Sequence, residues 1–206
     1  MDKIKVLIID DHAILRMGLA SLLGAKNDIE VVGDAANGQT GVQKALRLKP
    51  DVVIADLMMP GMDGTETTKD LLAKDPGSRV LILTTFGTSD GIAHALDAGA
   101  RGAIMKNCDF GELVTAIRTV ARGGRYVSPE IERILSNDPP ISPLSPRQVE
   151  ILRSIVRGFS NPDIARQLGI SLDMVKEHIT NLFQKLGVAN RPEAVALALR
   201  KHLLKI

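Results

Sequence analysis

The feature that most restricts this chain is the strict alternation of its first 125 residues. Short runs rich in β-branched and apolar residues occur at "IKVLIID" (4–10), "EVVGDA" (30–35), "DVVIAD" (51–56), "RVLILTT" (79–85) and "GAIMK" (102–106). Segments of helical period separate them, at roughly 13–25, 38–49, 65–75, 89–98 and 109–122. Three of the runs are almost wholly apolar, which is the pattern of parallel strands covered on both faces; a strand with one wet face would alternate. Each parallel neighbour needs a crossover, and here every crossover is a helix.

Five consecutive strand–helix units predict an α/β fold, a flavodoxin-like (βα)5 doubly wound parallel sheet of order 2-1-3-4-5 over residues 1–125. Beyond it the texture changes. Gly123, Gly124, Pro129, Pro139, Pro140, Pro143 and Pro146 crowd one stretch, so residues 126–142 read as a linker with a short helical segment, Pro129 to Ser136, inside it. From residue 143 to 206 no strand signal survives. "LSPRQVEIL" opens a helix with Ser145 as cap, Pro146 in the first turn and Gln148 completing a capping box. "GFSNPDIARQLGIS" reads as turn, short helix, turn. Ser171 caps a longer helix to about Leu186, and Asn190 with Glu193 has the spacing of a capping box for a last one. The second domain is therefore a small all-α, four-helix unit whose central pair reads equally as a helix-turn-helix or as a plain αα-hairpin with a solvated face.

Charge divides the same way. Residues 143–206 carry ten Lys+Arg against five Asp+Glu, while the rest of the chain carries 16 against 19. An acidic front and a basic back suit different partners, the second being nucleic acid. The single cysteine, Cys108, excludes an internal disulfide framework and reads as a small buried hydrophobe. No apolar stretch reaches the length of a membrane span, and "MDKIKVLIIDD" lacks the apolar region of a signal peptide. The expectation is a cytoplasmic protein with no membrane partner.

In an open parallel sheet, ligands bind beyond the carboxyl ends of the strands, where strand order reverses. Here that point lies between the first strand, ending in Asp10-Asp11, and the third, ending in Asp56. Three carboxylates brought together repel unless a cation sits among them. Hard oxygen donors with room for water and a phosphate oxygen suit Mg²⁺. The fourth strand ends in Thr84 and the fifth in Lys106, both aimed at the same crevice. The set reads as a phosphoryl acceptor: Asp56 the nucleophile, Mg²⁺ the charge neutraliser, Thr84 and Lys106 the phosphoryl ligands. The loop "MMPGMDG" turns sharply at Pro60-Gly61, leaves Asp56 open, and offers the Met58 carbonyl to the metal. His12 and His94 read as bystanders. There is no Ser/His/Asp or Cys/His set, dinucleotide fingerprint or Cys/His metal spacing.

With "IIDDH", "DLMMPGMDG", "LTTF" and "IMKN" in order, residues 1–125 resemble the receiver domain of two-component response regulators. The resemblance implies Asp56 as phosphorylation site, Asp10 and Asp11 as metal-site acids with Asp11 the more direct ligand, Thr84 as the switch hydroxyl and Lys106 as the phosphoryl-contacting lysine. It also implies a sensor histidine kinase as phosphodonor. Two positions depart from the pattern: Ala103 stands where a switch Tyr or Phe is usual, and Asn107 follows the lysine where many receivers have proline.

In the helix after Ser171, Val175, Ile179, Leu182 and Leu186 form a buried stripe at helical spacing. Lys176, Glu177, Thr180, Asn181 and Gln184 fall on the exposed side, with groups able to pair with base edges, and Lys185 and Arg191 near its end suit phosphate. Residues 143–206, from "LSPRQVEILRSIVRGFSNPDIARQLGIS" through "MVKEHITNLFQKLGVANRPEAV", resemble the NarL/LuxR-type DNA-binding domain. That resemblance places Lys176, Glu177 and Thr180 at the bases of double-stranded DNA and the last helix at a homodimer contact. Pro162 stands where the family usually has Lys or Arg. Two rival readings remain. A Mg²⁺-dependent phosphatase with an Asp nucleophile would need an acid two positions on, where Met58 sits. A regulator binding DNA without phosphorylation is kept open by Ala103 and opposed by the intact Asp10, Asp11, Asp56, Thr84 and Lys106 set. The expectation is a transcription regulator, not an enzyme, that dimerises when Asp56 is phosphorylated.

Overall fold

The alternation resolves into six parallel strands: β1 (Ile4–Ile9), β2 (Ile29–Ala35), β3 (Val52–Asp56), β4 (Val80–Thr84), β5 (Gly102–Met105) and β6 (Tyr126–Val127). Their order is β2-β1-β3-β4-β5-β6. This computed structural model describes residues 3–85, 89–142, 144–201 and 203–204. The chain divides into two compact units, Met1–Pro139 and Pro140–Ile206.

In the first unit, successive strand residues point to opposite faces, and the two faces have separate cores. Leu7, Ile9, Val53, Ala55, Ile82 and Ala103 face one side with Val42, Leu71 and Ile92. These last three come from α2 (Gly38–Leu48), α3 (Gly64–Lys74) and α4 (Ser89–Asp97). Val6, Ile8, Ile54, Leu83 and Ile104 face the other side with Leu19, Leu23, Leu113 and Ile117. Those helical residues come from α1 (Ala13–Gly24) and α5 (Phe110–Ala121). The doubly wound arrangement expected from the apolar strands is present.

The expected linker, 126–142, needs correction. Tyr126 and Val127 extend the sheet beside Gly102 and Ala103 as β6. A side chain at position 102 would put its Cβ 2.2 Å from the Tyr126 carbonyl oxygen, so only glycine lets β6 lie against β5. Next comes α6 (Pro129–Asn137), with Pro129 in its first turn and the Ser128 hydroxyl accepting from the Ile131 amide. Ile131 is fully buried in the first core, and Ile134 and Leu135 pack against it. A two-residue strand has no periodicity to detect, and the prolines hid a segment that is structural up to Pro139.

The second unit has α7 (Pro146–Val156), α8 (Asn161–Leu168), α9 (Leu172–Leu186) and α10 (Arg191–Arg200). The Ser145–Gln148 capping box is complete, and a second one joins Ser160 and Asp163. At α10 the Asn190 side chain accepts from Glu193 N, but the Glu193 carboxylate takes the Ala189 amide at 2.8 Å rather than that of Asn190. The core joins Ile151, Leu152, Ile155, Ile164, Val175, Leu182 and Ala194, contributed by all four helices. Among the described residues, no helix is long and apolar enough to cross a membrane.

Candidate functional sites

The register pairs Ile9 of β1 with Ala55 of β3, so Asp10 and Asp56 leave adjacent strand ends side by side. One ligand atom from each of Asp10, Asp11, His12 and Asp56 lies within 4.8 Å of the others, a group that could hold a metal ion. Lys106, just past β5, reaches across them. Its Nζ lies 2.7 Å from Asp10 Oδ2 and 2.8 Å from Asp56 Oδ2, and the three side chains are 7%, 2% and 3% exposed.

Burial pushes the Asp56 carboxyl above its ordinary range. The Lys106 ammonium works against that rise and the neighbouring Asp10 charge adds to it. Burial alone would lower Lys106, but its hydrogen bonds to Asp10 and Asp56 more than offset the effect and hold it above its usual value. Thr84, the last residue of β4, is 0% exposed, and its Oγ1 has no hydrogen-bond partner among the described residues. Leaving a buried hydroxyl unpaired costs about 1–3 kcal/mol, so this group is available to a ligand.

The loop after Asp56 folds back over it. The Met58 amide donates to Asp56 Oδ1 at 3.3 Å, and Met58 is 54% exposed. A Cβ at position 64 would fall 2.4 Å from the Asp56 carbonyl oxygen, which explains the glycine where α3 begins. Asp63 and Glu66 close a capping box at the same point. His12, expected as a bystander, instead joins the acidic group. Its amide donates to Asp10 Oδ1 at 2.8 Å, and its Nδ1 lies 2.9 Å from Asp11 Oδ1. Adjacency in "DDH" was the available signal. His94, in α4, contributes no atom to the group. Cys108 is half-buried; burial first, then the nearby Glu112 charge, pushes its thiol up to about 11, which leaves little thiolate near neutral pH.

Ala103 is fully buried in β5, flanked by Ile82 of β4 and Val127 of β6. No peptide bond is cis among the described residues, Lys106–Asn107 included. At the start of α4 the buried Ser89 hydroxyl donates to Asp138 Oδ2 at 2.8 Å, tying α4 to the residue that ends α6.

On α9, Lys176, Glu177, Thr180, Asn181, Gln184 and Lys185 are exposed, while Val175, Leu182 and Leu186 are buried and Ile179 is partly so. Lys176 pairs with Asp173 at 3.0 Å, and Thr180 Oγ1 donates back to the Lys176 carbonyl at 3.0 Å. Lys185 Nζ reaches Gln148 Oε1 of α7 at 3.4 Å. Arg191, expected to suit phosphate, has partners within its own domain. Its Nη2 donates to the Ile155 carbonyl at 3.2 Å and to the Phe159 carbonyl, satisfying acceptors at the end of α7 and in the turn after it. So engaged, the guanidinium ties the start of α10 to the end of α7 and the turn after it.

The response regulator receiver domain family matches residues 6–118, and the luxR family of bacterial regulatory proteins matches residues 142–198. The chain belongs to the LuxR-type response regulators. The transcriptional regulatory protein LiaR of Bacillus subtilis (strain 168) is 39% identical over 209 residues, 98% of this chain and 99% of LiaR. The oxygen regulatory protein NreC of Staphylococcus carnosus (strain TM300) is 38% identical over 214 residues, 97% and 99% of the two chains. Among solved structures, the response regulator ChrA of a heme-sensing two-component system is 37% identical, with a TM-score of 0.60 over 99% of this chain and 100% of ChrA. The RcsB–DNA complex is 26% identical with a TM-score of 0.69, over 97% and 99%. This response regulator is a DNA-binding transcription regulator, and the phosphatase alternative falls with the family assignment.

Proposed function

We propose that this response regulator accepts a phosphoryl group on Asp56 from a sensor histidine kinase in the cytoplasm, and that phosphorylation promotes homodimerisation and sequence-specific binding to double-stranded DNA. The observation that carries the reading is the convergence of buried Asp10, Asp56 and Lys106 with the partly exposed Asp11, beside a Thr84 hydroxyl that has no partner among the described residues. In the transfer, an Asp56 carboxylate oxygen attacks phosphorus while the bond to the kinase's histidine nitrogen breaks with its electron pair, leaving an acyl phosphate on Asp56.

The oxygen donors of the group fit Mg²⁺, which Asp10, Asp11, Asp56 and the Met58 carbonyl would hold, with the His12 ring beside them. When bound, it supplies charge neutralisation for the incoming phosphoryl oxygens. Lys106 then exchanges a carboxylate for a phosphoryl oxygen, and the Thr84 hydroxyl gains the hydrogen bond it lacks. With Ala103 in place of an aromatic residue, the signal leaves by a different route. Strand β6 and helix α6 lie against β5 and α4, and the Ser89–Asp138 bond links the start of α4 to the chain entering the second unit. Phosphorylation needs only to favour one of two arrangements of that contact.

In the second unit, Lys176, Glu177 and Thr180 read base edges, with Asn181, Gln184 and Lys185 beside them. Solved RcsB complexes support both parts: two RcsB dimers bound to two parallel DNAs, and RcsB from Salmonella enterica serovar Typhimurium bound to a promoter with a phosphomimetic beryllofluoride. The test is selection of binding sites from a random duplex library, using the full chain with and without beryllofluoride and Mg²⁺. Paired half-sites enriched only with the mimic support the reading; equal enrichment without it contradicts phosphorylation control.

A further inference from the structure

Asp10 is gripped at every polar atom. Its amide donates to the Ala35 carbonyl at 3.1 Å, Oδ1 accepts from the His12 amide at 2.8 Å, and Oδ2 faces Lys106 at 2.7 Å. Its carbonyl oxygen is held from α1, by Arg16 Nη1 at 2.7 Å. The same guanidinium donates through Nε to Asp34 Oδ2 at 2.8 Å, with the Arg16 side chain only 14% exposed. Asp34 is itself anchored, since its carbonyl accepts from Lys44 Nζ.

The Asp10 carbonyl belongs to the peptide unit that joins Asp10 to Asp11. Holding it fixes the relative orientation of both carboxylates, which a metal site with few protein ligands cannot leave loose. A planar guanidinium can do this because its donors have a fixed mutual geometry; an ammonium would hold one partner and leave the other. We propose that Arg16 is a positioning residue for the metal-binding pair Asp10–Asp11, bracing their shared peptide against the end of β2. This rests on the reading of the acidic group as a Mg²⁺ site.

Charge and position make opposite predictions, which allows a decision. Arg16 is a cation near a cation site, so if it acted only through its charge, its removal would tighten Mg²⁺ binding. If it positions the pair, removal weakens binding even when the charge is kept. Calorimetric titration of Mg²⁺ into the full-length, unphosphorylated protein, with circular dichroism as a folding control, is carried out on wild type, Arg16→Gln, Arg16→Lys and Asp34→Asn. The expected result is a rise in the Mg²⁺ dissociation constant of about 10-fold or more for Arg16→Gln, a rise of similar size for Arg16→Lys, and a smaller rise for Asp34→Asn. Should Arg16→Gln not fold, the other two variants carry the same test. Unchanged or tighter binding in Arg16→Lys and Asp34→Asn, with or without a lower thermal midpoint, overturns the assignment. Wild type that takes up no Mg²⁺ overturns both this inference and the site reading beneath it, whereas wild type that binds while all variants bind equally overturns only the role of Arg16.

Discussion

Lys106→Met should show how much the buried acidic group depends on its internal cation. Nζ sits 2.7 and 2.8 Å from two carboxylates, and all three side chains are at least nine-tenths buried. Methionine keeps the length of the chain but removes the charge, so Asp10 and Asp56 are left facing each other with no protein cation between them. Removing one partner of a buried ion pair costs roughly 3–5 kcal/mol, a sizeable part of the total stability of a domain. Native-state hydrogen exchange, read by mass spectrometry on β1 and β3 peptides of the full chain in EDTA, reports that unit separately. Protection should fall by a factor on the order of 10² to 10³, and Mg²⁺ should restore part of it by binding only the folded state. A pH series gives a second readout. The Lys106 pKa is raised in the folded state, so its stabilisation is complete below the unfolded value near 10.5 and is lost as pH rises through the higher folded value. Circular-dichroism melts of wild type should therefore show an alkaline loss above pH 10.5 that Lys106→Met lacks. Protection within a few-fold of wild type, with no response to Mg²⁺, would refute the electrostatic account of the group.

Arg191→Ala removes charged hydrogen bonds to two carbonyls, worth about 1.5–3 kcal/mol each; calorimetry should show a lower midpoint for the second unit while the salt slope of DNA binding stays as in wild type. A slope lower by roughly one counterion per subunit would instead make Arg191 a phosphate contact. Lys176→Ala should cost about 1–3 kcal/mol on the selected duplex and relax preference at one base position; equal weakening on a scrambled duplex would reduce Lys176 to an electrostatic anchor. Ser89→Ala removes the tie to Asp138, and the unphosphorylated protein should then bind the selected site roughly 10-fold tighter; unchanged affinity in a titration would take that bond out of the coupling route.

The main strands were legible because parallel strands buried on both faces are written as continuous apolar runs, and a helix at every crossover leaves one simple sheet. That topology sets the strand ends that carry Asp10, Asp11, Asp56, Thr84 and Lys106 along one edge of the sheet. Strand β6 was not legible: two residues carry no period, and the prolines around α6 have the composition of a linker although Ile131 is core. The intradomain partners of Arg191 were not legible, because sequence shows a basic residue beside a recognition helix but not that the end of α7 presents carbonyls to it. Arg16 was invisible for the same reason, since its partners are a backbone oxygen at the tip of one strand and a carboxylate on another. His12 was discounted as an isolated histidine, when its place directly after Asp10 and Asp11 was the informative fact.

The central claim, that Asp56 is the single acceptor, is tested most directly by intact-mass measurement. Full-length wild type and Asp56→Asn are each treated with a small-molecule phosphodonor in Mg²⁺. Wild type should gain the mass of one phosphoryl group and Asp56→Asn should gain none; an equal gain in both proteins would contradict the account.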